Sequence, residues 1–220
     1  VVTKFNHPGD GAVTHSGLAY SEAGDETVQL MEVRSDDEQV AFIRALNLGW
    51  HLAPEGSDDT HSANWGNVRT WTGIYAPGLS KQNILDALAT RRCYASQDRN
   101  CRLIYRINEA FPGDIVESPV KEIQVTVRVS DPDETDSIAK IELFEDGEVI
   151  AVDEPNRDRR CWRTNVTTEP GPHYYFVKVT QADGNQLWSV PATFNHHKDP
   201  DVFLTGGLVW AAGYNANKGQ

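Results

Sequence analysis

Hydrophobic and polar positions in the second half of the chain alternate with a period of two. Residues 122–129 alternate strictly, which is the pattern of a half-buried β-strand. Residues 138–144 form a similar run that ends at Asp146-Gly147, a dipeptide typical of two-residue hairpin turns, and residues 149–151 continue beyond it. Further strand-like runs lie at residues 161–166, 174–180 and 186–190. Several short strands separated by turn residues predict an antiparallel sandwich of immunoglobulin-like type.

Upstream of residue 112 the pattern mixes helical and strand-like segments. Residues 37–48 place apolar side chains on one helical stripe and end at a glycine, which predicts a helix. Residues 80–92 repeat this pattern and begin at a serine, a good helix N-cap. Short apolar runs at residues 27–33 and 51–54 predict strands between the helices. Alternating strands and helices are typical of an α/β layered or barrel domain.

Charge and hydropathy narrow the possible partners. The formal net charge is −12, which argues against a broad nucleic-acid-binding surface. No apolar run approaches the roughly 20 residues that a membrane-spanning helix needs. The sequence opens inside a strand-like apolar run, with neither an initiator Met nor a signal segment, so we expect that a preceding segment was removed. The cysteines leave two possibilities open, a Cys93–Cys101 disulfide or three free thiols including Cys161.

Two short polar sequences carry candidate chemistry. His7 ends one strand-like run, and Asp59 and His61 follow another within residues 56–61. Because the carboxyl ends of strands converge in α/β barrels, these three side chains are expected to meet. Imidazole and carboxylate groups suit Zn²⁺, Mn²⁺ or Fe²⁺, which predicts a metal site; Asp58 replaces Asp59 if the register differs by one. Taken singly, each motif has a common structural explanation. A His before Pro is most often a structural residue, and a Ser-Asp-Asp cluster is most often a turn or a helix N-cap.

The order of several motifs resembles a known family. The chain reads NHPG at 6–9, MEV at 31–33, LNLGWHLAPEGSDDTHS at 46–62, LSKQNILDALATRRCYASQDRN at 79–100 and HYYFVKVTQADGNQLWSVP at 173–191. Together these segments resemble the PHP (polymerase and histidinol phosphatase) metallohydrolases, in their CehA/McbA-like branch. The resemblance implies a fold of class α/β plus all-β. It implies the C-terminal part of a distorted (βα) barrel at residues 1–111, an immunoglobulin-like sandwich at 112–194, and a tail or the start of a further module at 195–220.

The resemblance also implies an activity. It predicts a metal-dependent phosphoesterase-like hydrolase in which metal-activated water attacks a phosphoester or related ester, with a small-molecule or polymer substrate. Two or three divalent ions (Zn, Mn or Fe) are expected in the intact protein, with His7, Asp59 and His61 as the ligands matched here. Four further residues are candidates: Arg69 facing substrate phosphate, His15 as ligand or proton shuttle, Glu32 supporting the site, and Asp58 as the alternative ligand.

The chain also departs from the family pattern. Such domains begin with an H-x-H motif, and none occurs in this chain. We therefore expect the missing ligands on an N-terminal segment of the same protein, either in the same chain or as a separate chain. The alternative is a degenerate, non-catalytic protein whose sandwich binds a surface through exposed aromatic side chains; core packing is the competing explanation for those side chains. The aromatic residues in question are Trp162, Tyr174, Tyr175 and Trp188. The appended sandwich, a low Lys count and an Asn165-Val166-Thr167 sequon favour a secreted or periplasmic location.

Overall fold

The computed structural model describes residues 1–8, 17–118, 122–133 and 135–196. Strands account for 43% of the described residues and helices for 16%. His15 and nearly all of the predicted tail at 195–220 lie outside the described residues. Within those residues, no helix is both long enough and apolar enough to cross a bilayer.

The first elements form a small parallel sheet with two helices. Strand β1 (Lys4–Phe5) pairs in parallel with β2 (Leu30–Glu32), which pairs in parallel with β3 (Ala53–Glu55). Helix α1 (Glu22–Thr27) precedes β2, and helix α2 (Asp36–Asn47) connects β2 to β3. The parallel arrangement places the carboxyl ends of the three strands at one edge of the sheet.

Helix α2 starts and ends as its sequence predicts. The Ser35 hydroxyl accepts a hydrogen bond from the Glu38 amide, and acidic residues occupy the first turn, where the helix dipole favours negative charge. The chain leaves the helix at Gly49, which has a φ of 105° that glycine adopts without strain. The predicted helix at 37–48 is therefore confirmed to within one residue at each end.

The remaining elements are eleven strands and one helix. Helix α3 (Lys81–Ala89) is capped by the Ser80 side chain, as predicted from the sequence. The strands are β4 (Trp71–Ile74), β5 (Cys93–Ser96), β6 (Arg102–Ile107), β7 (Ile115–Ser118), β8 (Glu122–Ser130), β9 (Ile138–Glu145), β10 (Glu148–Asp153), β11 (Arg159–Thr167), β12 (Gly171–Gln181), β13 (Gln186–Ser189) and β14 (Ala192–His196).

These strands form two sheets that pack face to face. The larger sheet has the order β10-β9-β12-β13-β5-β4, and β14 joins β12 to β7 at its side. The smaller sheet has the order β11-β8-β6. Apolar side chains of both sheets share one core, and the Tyr105 hydroxyl crosses it to donate to the Tyr175 carbonyl at 2.6 Å. Alternating burial along β6 and β8 shows that the smaller sheet turns one face to this core and the other to solvent.

The larger sheet is covered on its second face by α2 and the parallel sheet. Phe42 of α2 packs edge-on against Phe176 of β12, with ring centroids 6.0 Å apart, and Trp188 of β13 belongs to the same cluster. Tyr175 and Val177 of β12 point instead into the core between the two sheets. Strand β12 is therefore apolar on both faces because both are buried.

The predicted fold class is wrong. The described residues contain no (βα) barrel, because the consecutive parallel strands stop after β3. The next strands, β4 and β5, pair antiparallel and join β13 in the larger sheet of the sandwich. Strand β6 likewise lies upstream of residue 112 yet pairs with β8 in the smaller sheet. The apolar stripe of α2 covers the sandwich instead of a closed ring of parallel strands.

The cysteines are all free. Cys93 and Cys101 are buried and Cys161 is exposed, so of the two possibilities left open by the sequence, three free thiols is the one observed. Burial raises the pKa of the Cys93 thiol well above its ordinary value, which keeps this group protonated near neutral pH.

The Asp146-Gly147 turn carries a pH-sensitive contact. Both residues have positive φ, 51° and 92°, as a type I′ turn requires. The Asp146 carboxylate contacts His173 Nδ1 at 2.7 Å and accepts from the Tyr174 amide at 3.0 Å. The hydrogen bond with Asp146 raises the pKa of His173; burial opposes this shift, while the charges of Asp146 and Glu145 add to it.

Replacing Asp146 with asparagine is expected to reduce stability more at pH 5.5 than at pH 8.5. A raised folded-state pKa means that the contribution of His173 is fully present below its unfolded pKa of about 6.5 and is lost as pH rises through the folded-state pKa. Asparagine also tolerates positive φ, so the turn is retained. Urea unfolding at the two pH values measures the difference; an equal loss at both would contradict this assignment.

Candidate functional site

The predicted ligands meet at the carboxyl edge of the parallel sheet. His7 lies two residues after β1, and Asp59 and His61 lie in the segment that follows β3. His7 Nε2 is 3.4 Å from Asp59 Oδ2, and His61 Nε2 is 2.9 Å from the same oxygen. The Asp59 carboxylate therefore lies between two imidazoles that are distant in sequence.

Glu32, at the end of β2, contacts His7 and the segment that carries Asp59. Its carboxylate accepts from the His7 backbone amide at 2.9 Å and from the Ser57 hydroxyl, and it lies 3.5 Å from His7 Nδ1. Arg34 Nη2 approaches the same carboxylate at 3.6 Å. Only 1% of Glu32 is exposed, so His7 is held in place by contacts with a buried side chain.

The electrostatics of both carboxylates favour the charged form. Burial alone would raise the pKa of Glu32, but hydrogen bonds from Ser57 and the His7 amide, with the charges of Arg34 and Lys4, bring it below its ordinary value. The hydrogen bond with His61 lowers the pKa of Asp59. Two ionised carboxylates at neutral pH make this edge of the sheet attractive to a cation.

The backbone at this site is held in an uncommon conformation. His7 and Asp59 have φ values of 51° and 44°, in the left-handed region that few non-glycine residues occupy. Such conformations cost about 1 kcal/mol or more each and cluster at functional sites, where surrounding contacts hold them in place. Here the segment after β3 is held by the Thr70 hydroxyl, which donates to the Ser57 carbonyl at 2.7 Å.

The other predicted site residues are less closely engaged. Asp58 is half-buried and shows no contact with either imidazole, so among the described residues Asp59 is the carboxylate that joins them. Arg69 is exposed in the segment before β4. His51 is not part of the site: its Nδ1 contacts Asp25 at 2.6 Å, and its carbonyl accepts from Arg91.

Sequence reasoning missed three residues that complete the surroundings. The Arg34 guanidinium forms an ion pair with Glu38, with Nη2 2.7 Å from Oε1. This ion pair holds the guanidinium near Glu32. Lys4 forms an ion pair with Glu55 and donates to the Ser57 hydroxyl at 3.1 Å. A signal was available for Arg34 and Ser57, because both shortly follow strands predicted from the sequence and lie two residues beyond the ends of the observed β2 and β3.

The donor types suit a divalent metal ion. Two imidazoles and a carboxylate are common Zn²⁺ ligands, and the side chains of His7, Asp59 and His61 are 38%, 41% and 84% exposed, so an ion can reach them. Asp59 Oδ2 is hydrogen-bonded to His61 Nε2 and lies 3.4 Å from His7 Nε2. Among the described residues, three acidic or imidazole ligand atoms all within 4.8 Å of one another occur only at Asp98, Asp131 and Asp136, a group that shares no residue with His7, Asp59 and His61.

Comparison with known proteins leaves the family open. No protein-family model matches the chain, and no curated protein matches it. Among solved structures, the fibronectin(III)-like modules of Clostridium thermocellum CbhA share 16% identity and a TM-score of 0.30, over 42% of this chain and 96% of theirs. A Jonesia denitrificans lytic polysaccharide monooxygenase shares 12% identity with a TM-score of 0.29, over 39% of this chain and 59% of its own. A Cellulomonas fimi endo-beta-1,4-mannanase double mutant shares 14% identity with a TM-score of 0.26, over 87% of this chain and 52% of its own.

Proposed function

We propose that His7, Asp59 and His61 bind a divalent metal ion and serve the hydrolysis of a phosphoester or a related ester. The observation that supports this is the convergence of the three side chains at the carboxyl edge of β1–β3, with Asp59 in contact with both imidazoles. The positive φ of His7 and Asp59 is compatible with this role, because such conformations cluster at functional sites, although Asp146 adopts the same conformation in a structural turn.

Each residue has a role in this proposal. The two imidazoles and the Asp59 carboxylate hold the metal, which when bound lowers the pKa of a coordinated water so that hydroxide forms near neutral pH. Glu32 fixes His7 through its backbone amide and keeps the site anionic. Arg69 is exposed shortly after the ligand segment, where a guanidinium can pair with a phosphate group of the substrate.

Three ligands in one chain set the expected affinity. A structural zinc site has four protein ligands, and a catalytic one has three ligands and water. The resemblance to PHP hydrolases implies further ligands on an H-x-H segment, so a second or third ion needs residues that this chain does not supply. At this edge of the parallel sheet, the chain alone is therefore proposed to hold a single ion.

Replacing His61 with alanine is expected to weaken Mn²⁺ or Zn²⁺ binding about tenfold or more, because it removes one ligand of three. The measurements are isothermal titration and the metal content after dialysis. His173→Gln is the matched control, since His173 lies on β12 and its imidazole contacts Asp146 in the β9–β10 turn. The same variants are then compared for hydrolysis of bis(4-nitrophenyl) phosphate with added Mn²⁺.

Two results would contradict the proposal. Equal metal affinity in the parent and His61→Ala would show that the imidazole is no ligand. Metal binding without metal-dependent hydrolysis of phosphodiester, phosphomonoester or carboxylic ester substrates would leave a binding site and no hydrolase.

The alternative of a surface-binding sandwich has less support. The aromatic residues considered for it are buried, with Tyr175 and Trp188 fully inaccessible and Trp162 and Tyr174 each 8% exposed. Their packing accounts for the cores of the molecule, and no aromatic surface remains at these positions.

A further inference from the structure

A second group of acidic side chains lies at one end of the sandwich. Asp98 comes from the loop between β5 and β6, and Asp131 and Asp136 come from the loop between β8 and β9. One oxygen from each residue lies within 4.8 Å of the others. Asp131 is only 1% exposed, so this is not a set of solvated surface charges.

The three carboxylates are positioned by their own loops. Asp98 Oδ1 accepts from the Cys101 amide at 2.8 Å, Asp131 Oδ1 from the Asp133 amide at 2.9 Å, and Asp136 Oδ1 from the Ser137 amide at 2.7 Å. Each residue thus uses one oxygen to hold its loop. The second oxygen of each, Oδ2, is turned to a common centre.

The side chain of Gln181 is aimed into that centre. Its Nε2 lies 3.2 Å from Asp98 Oδ2, 2.7 Å from Asp131 Oδ2 and 3.2 Å from Asp136 Oδ2. An amide nitrogen has two hydrogens, so it cannot satisfy three carboxylate oxygens. Gln181 is 1% exposed, and its Oε1 is buried without a hydrogen-bond partner. A buried amide oxygen left in this state destabilises the fold.

The negative charge of the cluster lacks a protein counter-charge. Among the ion pairs formed by the described residues, none joins a Lys, Arg or His to Asp98, Asp131 or Asp136, or to the neighbouring Asp133. Burial, followed by the charges of Asp98 and Asp133, raises the pKa of Asp131. Buried carboxylates are normally paired or bound to a metal. In the present orientation of the Gln181 amide, Nε2 faces these oxygens, and exchanging it with the unpartnered Oε1 would bring that oxygen to the same centre.

We propose that a Ca²⁺ ion binds here, between Asp98, Asp131 and Asp136, with Gln181 as a fourth oxygen ligand. A 180° turn of the Gln181 amide exchanges Nε2 for Oε1 and directs four oxygens to one point. An all-oxygen set that is irregular and partly open to water suits Ca²⁺, which takes six to eight oxygen ligands in flexible geometry. Zn²⁺ prefers nitrogen and sulfur ligands, and Mg²⁺ demands near-ideal octahedral geometry.

Ca²⁺ at this point links two loops and the end of one strand of the sandwich. The β5–β6 loop contributes Asp98, the β8–β9 loop contributes Asp131 and Asp136, and Gln181 ends β12, before the turn to β13. The loops belong to strands of both sheets, so the ion closes one end of the core. The site is separate from His7, Asp59 and His61 and has a different ligand chemistry.

Titration of the full chain with CaCl₂ after removal of metal by EDTA tests this site. We expect one Ca²⁺ per chain by isothermal titration. At a Ca²⁺ concentration about 100-fold above Kd, the Tm is expected to rise by about 5 °C or more. Asp136→Asn removes one charge from a half-buried ligand and is expected to weaken binding about tenfold or more. Glu148→Gln, an exposed carboxylate on β10, is the matched control and should bind like the parent.

Gln181→Glu separates a ligand from a merely structural side chain. It places a fourth carboxylate in the cluster, so the Tm without Ca²⁺ should fall and the rise on adding Ca²⁺ should exceed that of the parent. His61→Ala should bind Ca²⁺ like the parent, which distinguishes this site from the one at the parallel sheet. Absence of a Ca²⁺-dependent heat and Tm shift in the folded parent would overturn the proposal, as would equal Ca²⁺ affinity in Asp136→Asn and the parent.

Discussion

Replacing Trp188 with alanine is expected to lower the free energy of unfolding by about 3–5 kcal/mol. Trp188 is fully buried on β13, in the cluster that α2 and the larger sheet share. Its indole Nε1 donates to Gln39 Oε1 of α2 at 2.7 Å, and Lys178 Nζ lies 5.8 Å from the ring centroid. Truncation leaves a cavity, removes the hydrogen bond and weakens the attachment of α2 to the sandwich.

Trp65→Ala provides the matched control for this loss. Trp65 is 81% exposed, so the same substitution there should change the free energy of unfolding by no more than about 0.5 kcal/mol. Urea unfolding, followed by circular dichroism, measures both variants. A cost below about 1 kcal/mol at Trp188 would show that α2 and the parallel sheet do not pack on the sandwich as described.

Replacing Gly56 with alanine is expected to lower the free energy of unfolding by about 1–3 kcal/mol and to displace the segment that carries Asp59 and His61. A Cβ at this position would lie 2.3 Å from the Trp71 carbonyl oxygen, so one backbone segment must move. Gly56 directly follows β3, and its amide donates to the Thr72 hydroxyl at 3.0 Å. Movement here is therefore transmitted to the ligand segment that follows.

Gly78→Ala is the comparison that isolates close packing from the loss of glycine itself. The nearest atom to a Cβ at Gly78 is the side-chain amide nitrogen of Asn83 at 3.2 Å, at the end of a flexible side chain. We expect this variant to unfold within about 0.5 kcal/mol of the parent. Gly56→Ala should also bind Mn²⁺ more weakly than Gly78→Ala; equal stability and equal metal affinity in the two variants would contradict the described contact.

The sandwich was predictable where the sequence pattern had one meaning. Strict alternation identified β8, and the Asp146-Gly147 turn identified the β9–β10 hairpin. Strand β6 carried the same alternation at Leu103, Tyr105 and Ile107, all fully buried, but was assigned to an α/β domain because helices precede it. Helical periodicity in α2 defined its apolar stripe, and the stripe itself contains no information on whether a barrel or a sandwich covers it.

The candidate site was predictable as a set of residues and not as a geometry. His7, Asp59 and His61 were selected as residues that follow strand-like runs, and parallel pairing of β1–β3 brings such positions together. Glu32 was identified as a supporting residue for the same reason. The positive φ values of His7 and Asp59 depend on contacts between segments distant in sequence. The direction of the Arg34 side chain depends on its ion pair with Glu38. The cluster at Gln181 escaped notice because two loops and the end of β12, distant from one another in sequence, supply it.

Anomalous diffraction from crystals grown with Mn²⁺ or Zn²⁺ tests the central claim most directly. Data collected at the absorption edge of the added metal locate it without assumptions about activity. We predict a peak within bonding distance of His7, Asp59 and His61, which is absent from His61→Ala crystals. Peaks found only elsewhere, for example at Asp98, Asp131 and Asp136, with His61 still hydrogen-bonded to Asp59, would contradict the proposed hydrolase site.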